Sequence, residues 1–156
     1  MVDFSSLLKK PAFTGLKPQP LPAADDYPGR IGKYEYGESR EKKTPFLRYS
    51  VHITGWAPSV DAADRTFKDE AGTEHEIDPT KKVLRKDFYL IASDGNKGYY
   101  QLDQFLRSIG LQGGAGVTYE DMIPQAVGAS VVVQVKQYLI QSTGEIGNEV
   151  NNIAGV

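Results

Sequence analysis

A strict alternation of side chains over residues 44–55, T-P-F-L-R-Y-S-V-H-I-T-G, constrains the fold more than any other stretch. Apolar residues occupy every second position of it, at Leu47, Tyr49, Val51 and Ile53. Successive side chains of a β-strand point to opposite faces of the sheet. The period of two therefore predicts a half-buried strand with one face in a core and the other in solvent.

The solvent-facing positions of this strand carry Phe46, Arg48 and His52 as well as Ser50 and Thr54. An aromatic ring can stack on a nucleic-acid base, and a guanidinium can bind a phosphate. The strand is therefore a candidate binding surface. The alternative is an ordinary strand of a small β-rich domain.

The length and composition of the chain indicate one globular domain. A chain of 156 residues, 40% hydrophobic and 24% charged, can bury a core without crosslinks. The absence of cysteine excludes disulfides and thiolate metal sites, and it fits a reducing cytoplasm. We expect a cytoplasmic protein without membrane contact, since no apolar run approaches the roughly 20 residues that span a bilayer and the N-terminus lacks a signal pattern.

Charge is unevenly distributed along the chain, although its net charge is only -2. Residues 27–50 contain six Lys or Arg against three Asp or Glu, and residues 81–107 contain the same numbers. Residues 56–80 contain two basic residues against seven acidic ones. Because a binding surface needs local positive potential rather than a high overall pI, we expect a basic face on this acidic protein. The alternative is a chance fluctuation on a solvated surface.

The first 26 residues predict an extended N-terminal arm, and residues 27–156 predict the folded domain. Pro11, Pro18, Pro20 and Pro22 break helices and remove ladder donors. Such an arm can dock on a neighbouring subunit, so it is one route to a homo-oligomer.

Five strands and a helix are predicted in the domain. The predicted strands are Tyr27–Tyr36, 44–55, Lys81–Ala92, Ser130–Ile140 and Asn148–Ile153. Gly29 and Gly32 suggest a bend or bulge in the first of them. An apolar stripe at Leu102, Phe105, Leu106 and Ile109 predicts an amphipathic helix over 98–111.

The remaining segments predict loops and one short helix. Thr118 and Asp121 resemble a capping box that begins a short helix through Met122. Residues 37–43 predict a basic hairpin loop, and the acidic residues 56–80 predict an elaborated loop or small hairpin. Five strands with a helix between the third and fourth give the connectivity of an oligonucleotide-binding (OB) barrel, a mainly β fold.

Several short blocks also resemble a known family. They are Leu21–Ile31, Thr44–Val51, Leu102–Leu106, Val127–Val135 and Gly147–Ile153. In these blocks the chain resembles bacteriophage proteins of OB fold with single-stranded-DNA-binding character. The resemblance implies the OB fold and a role in phage DNA replication or recombination, in the cytoplasm of a bacterial host.

The sequence departs from this family at its end. Many single-strand-binding proteins end in a flexible acidic tail that recruits replication proteins, whereas this sequence ends in Ala154-Gly155-Val156. Which replication or recombination proteins would be its partners is therefore left open.

In an OB barrel the binding groove crosses the second and third strands and the adjoining loops. Stacking on bases is expected from Tyr34, Tyr36, Phe46 and one of Phe88 or Tyr89. Phosphate binding is expected from Arg40, Lys42, Lys43, Arg48, Arg85 and Lys86. For each aromatic the alternative is burial in the core, and for each loop cation it is solvation.

This groove predicts a non-catalytic, largely sequence-independent single-stranded DNA-binding protein. The alternative is a protein-interaction or assembly module built on the same barrel. The positions of Arg48, Arg85 and Lys86 discriminate between them: one groove lined with aromatics favours DNA, and scattered positions favour the alternative.

The sequence contains little that indicates an enzyme. There are two histidines, and no Ser/His/Asp spacing stands out. A metal-dependent nuclease would have to use the acidic loop with Glu74, His75, Glu76 and Asp78, although adjacent residues there point apart. We therefore expect neither catalysis nor a metal or cofactor.

Overall fold

Seven β-strands are present in the computed structural model, which describes residues 19–90 and 97–156. They are β1 (Ala24–Glu38), β2 (Pro45–Ile53), β3 (Thr66–Lys68), β4 (Glu74–Glu76), β5 (Val83–Tyr89), β6 (Ser130–Ile140) and β7 (Glu145–Gly155). Five of them form one antiparallel sheet in the order β5-β2-β1-β6-β7, and β3 and β4 form a separate hairpin. The prediction of a mainly β domain is confirmed.

The long strand β1 connects the two halves of the sheet. Its Gly29 pairs with Ile53 of β2 on one side and with Val131 of β6 on the other. The β1–β2 register shifts between Ile31 and Tyr34, so the chain bulges there. A bend was expected at Gly29 and Gly32, and the structure has it at Gly32 only, since Gly29 pairs regularly.

Gly32 is required at the bulge because there is no room for a side chain. A Cβ on Gly32 would overlap the ring of His52 and the hydroxyl of Ser50. The Ser50 hydroxyl instead accepts a hydrogen bond from the N–H of Lys33 at 2.8 Å. The bulge is therefore stabilised from the neighbouring strand.

The outermost strands β5 and β7 lie near each other but are not joined by a ladder in the described residues. The ammonium of Lys86 lies across the seam, 3.4 Å from the backbone oxygen of Asn151. The closed barrel that was predicted is not found, because a side chain rather than a backbone ladder makes the contact between these strands. We call this gap the β5–β7 seam.

The core lies on the inner side of the curved sheet. Tyr27 and Tyr49 are fully buried in it, and so are Leu47, Val51 and Ile53, as the alternation predicts. The Tyr27 hydroxyl donates to the Pro22 carbonyl at 2.7 Å, and the Tyr49 hydroxyl donates to the Ile123 carbonyl at 2.8 Å. Burial raises the pKa of Tyr27 to about 12 and raises that of Tyr49 as well.

The sequence predicts a folded domain that begins at Tyr27. In the structure the ordered packing begins earlier in the chain. Leu21 is fully buried, and its backbone N–H donates to the Asn148 side chain at 2.7 Å. Its carbonyl accepts from the Gln137 side-chain amide at 2.8 Å. Residues 1–18 of the predicted arm lie outside the described residues, as do residues 91–92 at the end of the predicted third strand.

Two α-helices follow β5 in the chain, α1 (Lys97–Ser108) and α2 (Tyr119–Met122). Leu102, Phe105 and Leu106 of α1 are buried in the core. The capping box predicted at Thr118 is present: the Asp121 N–H donates to the Thr118 hydroxyl, and the Thr118 N–H donates to the Asp121 carboxylate. Neither helix, within the described ranges, is long and apolar enough to cross a membrane.

The acidic segment between β2 and β5 contains the β3–β4 hairpin and two short 3-10 helices, Ala62–Arg65 and Pro79–Lys81. Its half-buried Trp56 packs against Tyr27, with ring centroids 6.4 Å apart. The Arg65 guanidinium lies over the Trp56 ring at 5.3 Å. The segment is therefore an ordered excursion attached to the core.

Candidate functional site

The solvent face of strands β1, β2 and β5 carries an aromatic pair, of which one ring is exposed and the other half-buried. Phe46 of β2 lies opposite Tyr89 of β5, with ring centroids 6.1 Å apart and planes at 71°. A Cβ on Gly37 of β1 would overlap the Phe46 ring, so that ring extends across β1 as well. Tyr89 is 44% exposed. The pair offers an aromatic surface at one end of the face.

The loop that joins β1 to β2 borders this aromatic pair. A depression of about 440 Å³ is lined by Tyr89 and by the loop residues Ser39, Arg40, Glu41, Lys42 and Thr44. Two backbone hydrogen bonds close the loop. The Ser39 N–H donates to the Thr44 carbonyl at 2.9 Å, and the Lys43 N–H donates to the Ser39 carbonyl at 3.0 Å. Two predicted phosphate-binding cations therefore lie beside Tyr89.

Arg48 occupies the next cross-strand row and is paired with carboxylates. Its Nε lies 2.7 Å from one oxygen of Asp87, its terminal nitrogen donates to the other at 3.0 Å, and Glu35 lies 3.8 Å away. The hydrogen bond to Asp87 raises the pKa of Arg48. The guanidinium also lies 4.8 Å from the centre of the Phe46 ring. Arg48 therefore supports Phe46 on this face while Asp87 neutralises its charge.

Arg85 and Lys33 supply unpaired positive charge at the other end of the face. Both residues line a hollow of about 220 Å³, together with Glu35, Arg48 and the buried Ser50. Within residues 19–90 and 97–156, neither Arg85 nor Lys33 has a carboxylate at ion-pair distance. Lys33 is not among the predicted site residues, although it lies in the basic segment 27–50.

Tyr34, Tyr36 and Lys86 were predicted in the groove but lie on its other side. Tyr34 and Lys86 are both register partners of the buried Tyr49, and Tyr36 is opposite the buried Leu47. The two tyrosines contact each other edge to face at 5.8 Å. Phosphate and stacking roles for these residues on the face that carries Phe46 and Tyr89 therefore have no geometric support.

Phe88 is part of the core, which corrects its inclusion in the predicted site. It is 2% exposed and stacks on Phe105 of α1 with ring centroids 5.5 Å apart. Because adjacent residues of a strand point to opposite faces, Tyr89 faces solvent and is the candidate stacking residue of this pair.

Arg48, Arg85 and Lys86, whose positions discriminate between the two predicted functions, do not all lie on the same side of the sheet. Arg48 and Arg85 lie on one face with Phe46, whereas Lys86 lies at the β5–β7 seam. The face that remains consists of Arg40, Lys42, Phe46, Arg48, Arg85 and Tyr89, with Lys43 in the bordering loop. We call it the β2–β5 face.

The acidic residues of the β3–β4 segment have separate partners. The His75 ring lies 2.7 Å from the Asp69 carboxylate and lowers its pKa, while Glu74 accepts a hydrogen bond from the Thr66 hydroxyl at 2.9 Å. Asp78 caps the 3-10 helix through the Thr80 N–H at 3.0 Å. In the part of the chain that the structure describes, no group of three His, Asp or Glu residues could hold a metal ion.

Comparisons with known proteins assign no family to this chain. No protein-family model matches it, and no curated protein is significantly similar to it. The site is therefore defined by its own geometry, an aromatic pair flanked by cations on an open β-sheet face.

Proposed function

We propose that the protein binds single-stranded DNA on the β2–β5 face, largely without regard to sequence. The observation that carries this proposal is the solvent-facing Phe46–Tyr89 pair, in which Tyr89 is exposed and Phe46 half-buried, beside Arg40 and Lys42. Bases of any sequence can stack on aromatic rings, with about 1–3 kcal/mol for each stacked base. The cations, with Arg85 further along the face, would bind phosphates and release counterions.

The strand order supports an OB-like fold for this function. A long first strand that pairs with the second and fourth, with the third and fifth at the two edges, is the order expected for a partly open OB barrel. In that fold the second and third strands and the loop joining the first two bind oligonucleotides. Here those parts are β2, β5 and the loop with Arg40 and Lys42. We assign the protein to protection of exposed strands in phage DNA replication or recombination.

The first test is fluorescence anisotropy with a labelled oligo-dT at low and moderate salt. We expect micromolar or tighter binding that is weaker for duplex DNA. Three phosphate contacts, from Arg40, Lys42 and Arg85, predict a slope of log K against log salt of about -2. An absence of binding at low salt would contradict the proposal and leave the protein-interaction module as the function to test.

Asp87→Asn should bind oligo-dT more tightly than the wild type. The substitution removes the carboxylate that is bonded to Arg48 and leaves the more distant Glu35, at 3.8 Å, as the carboxylate that competes with a phosphate for the guanidinium. One additional phosphate contact predicts a gain of roughly fivefold at 0.1 M salt and a steeper salt slope. Anisotropy at several salt concentrations measures both.

Asp103→Asn is the matched control for this substitution. It removes an equivalent carboxylate, one that pairs with Arg107 within α1 at 2.9 Å and away from the face. Its oligo-dT affinity should equal that of the wild type. Equal gains in both variants would indicate a general effect of net charge and would exclude a specific role for Arg48.

A further inference from the structure

A cleft of about 290 Å³ opens at the β5–β7 seam, beneath α1. Phe88 and Phe105 form part of its lining, and these are core residues. The rest of the lining is mainly polar, with Lys86 of β5, Gln101 and Gln104 of α1, and Asn151 and Asn152 of β7. The cleft lies on the side of β5 that is opposite the β2–β5 face, since Lys86 pairs with the buried Tyr49.

Lys86 is a partly desolvated cation in this cleft. Burial lowers its pKa, and its ammonium lies 5.4 Å from the centre of the Phe88 ring. Among the described residues its acceptor is the Asn151 carbonyl, and the distance of 3.4 Å is long for a charged hydrogen bond. In the described part of the chain, no carboxylate lies within ion-pair distance of the ammonium, because neighbouring Asp87 is bonded to Arg48 on the opposite face.

Two amide side chains near Lys86 make hydrogen bonds elsewhere. The Asn151 amide donates to Gln134 at 2.7 Å, and the Gln104 amide donates to the Tyr100 hydroxyl at 2.9 Å. Gln101 and Asn152 also line the cleft. The cleft thus combines a cation that has no carboxylate at ion-pair distance in the described part of the chain with lining residues, Gln101 and Asn152, whose type can donate hydrogen bonds.

We propose that the cleft at the β5–β7 seam binds an oxyanion, the phosphate or carboxylate of a small organic ligand, on Lys86. A buried charge is costly unless it is paired, and an oxyanion would accept charge-assisted hydrogen bonds from the ammonium. The volume is at the lower limit of small-molecule sites, so it suits a ligand no larger than a mononucleotide. The same phosphate chemistry could come from a free ligand or from a nucleic-acid strand. This site does not depend on the proposed function of the β2–β5 face.

The test is an NMR titration of the full chain with isotope-labelled lysine. The probes are inorganic phosphate, acetate, dTMP and oligo-dT, and the Nζ and Cε signals of Lys86 are followed. We expect saturable shifts with at least one of these four probes. Lys86→Met should weaken binding of that anion about tenfold or more, measured by calorimetry or backbone shifts. Lys136→Met, which removes an exposed lysine of β6, should leave it unchanged.

A second variant keeps the proposal testable if Lys86→Met does not fold. Asn152→Asp adds a carboxylate to the lining of the cleft and should compete with the anion, again weakening its binding.

Saturation by phosphate or dTMP identifies a free ligand as the source, and saturation by oligo-dT alone identifies a strand phosphate. Unchanged Lys86 signals with every probe, or equal affinity in the wild type and both variants, would overturn the proposal. Loss of oligo-dT binding in Phe46→Ala with retained phosphate binding would separate the two sites.

Discussion

Phe46→Ala is expected to weaken oligo-dT binding by roughly 5- to 150-fold at low salt, the equivalent of one stacked base at about 1–3 kcal/mol. The Phe46 ring lies between Tyr89 and the Arg48 guanidinium on the open side of β2. It therefore presents a supported aromatic surface to a base. Anisotropy with the same labelled oligo-dT measures the loss, and circular dichroism checks that the fold is retained.

Tyr89→Ala and Tyr36→Ala provide the partner and the control for this experiment. Tyr89 contacts Phe46, so the double variant should lose less affinity than the sum of the two single losses. Tyr36 is 58% exposed, but it lies on the opposite side of the sheet and should be dispensable. Similar losses in Phe46→Ala and Tyr36→Ala would show that the strand does not bind on the β2–β5 face.

Tyr49→Ala is expected to cost about 3–5 kcal/mol in the free energy of unfolding, as for other large aromatic residues truncated in a core. Tyr49 is fully buried and contacts Phe105 at 5.6 Å and Phe88 at 6.3 Å between ring centroids. Its hydroxyl bonds to the Ile123 carbonyl, so one side chain links β2, β5, α1 and the segment after α2. Urea unfolding followed by Trp56 fluorescence measures the loss.

Tyr49→Phe separates the hydrogen bond from the packing. It keeps the ring but leaves the Ile123 carbonyl without its donor, at a cost of about 1–3 kcal/mol. Tyr100→Ala, at a residue that is 61% exposed, should change stability by no more than about 0.5 kcal/mol. If Tyr49→Phe were as stable as Tyr100→Ala, the hydroxyl would have no structural role.

The inward and outward faces of β2 could be predicted from the sequence, whereas those of β1 could not. In β2 the alternation from Leu47 to Ile53 continues without interruption, and the structure buries the predicted side. In β1 the bulge at Gly32 adds one residue, and a shift of one residue transfers every later side chain to the other face. Without the bulge, Tyr34 would lie opposite Arg48 on the proposed binding face. The glycine indicated a bulge, but it did not indicate which tyrosines would change sides.

The charge on the face depends on pairings that the sequence alone does not reveal. Arg48 and Asp87 are 39 positions apart and meet only because β2 and β5 are in this register. The same register distinguishes Phe88, which faces the core, from Tyr89, which faces solvent. The sequence could therefore predict which residue types form the site, and the pairing of strands selects the individual residues.

The two halves of β1 differ in how far along the chain they find their partners. Its later part, from Gly29 onward, pairs with β2 through a short loop, whereas its earlier part, Ala24–Arg30, pairs with β6, which lies much further along the chain. Closing so long a loop is slow in folding, so β1, β2 and β5 can associate before β6 and β7 arrive. The whole β2–β5 face belongs to this early unit. The β2–β5 face can thus form from strands that are close together in the sequence. Its stability, however, depends on β6 and β7, which complete the core.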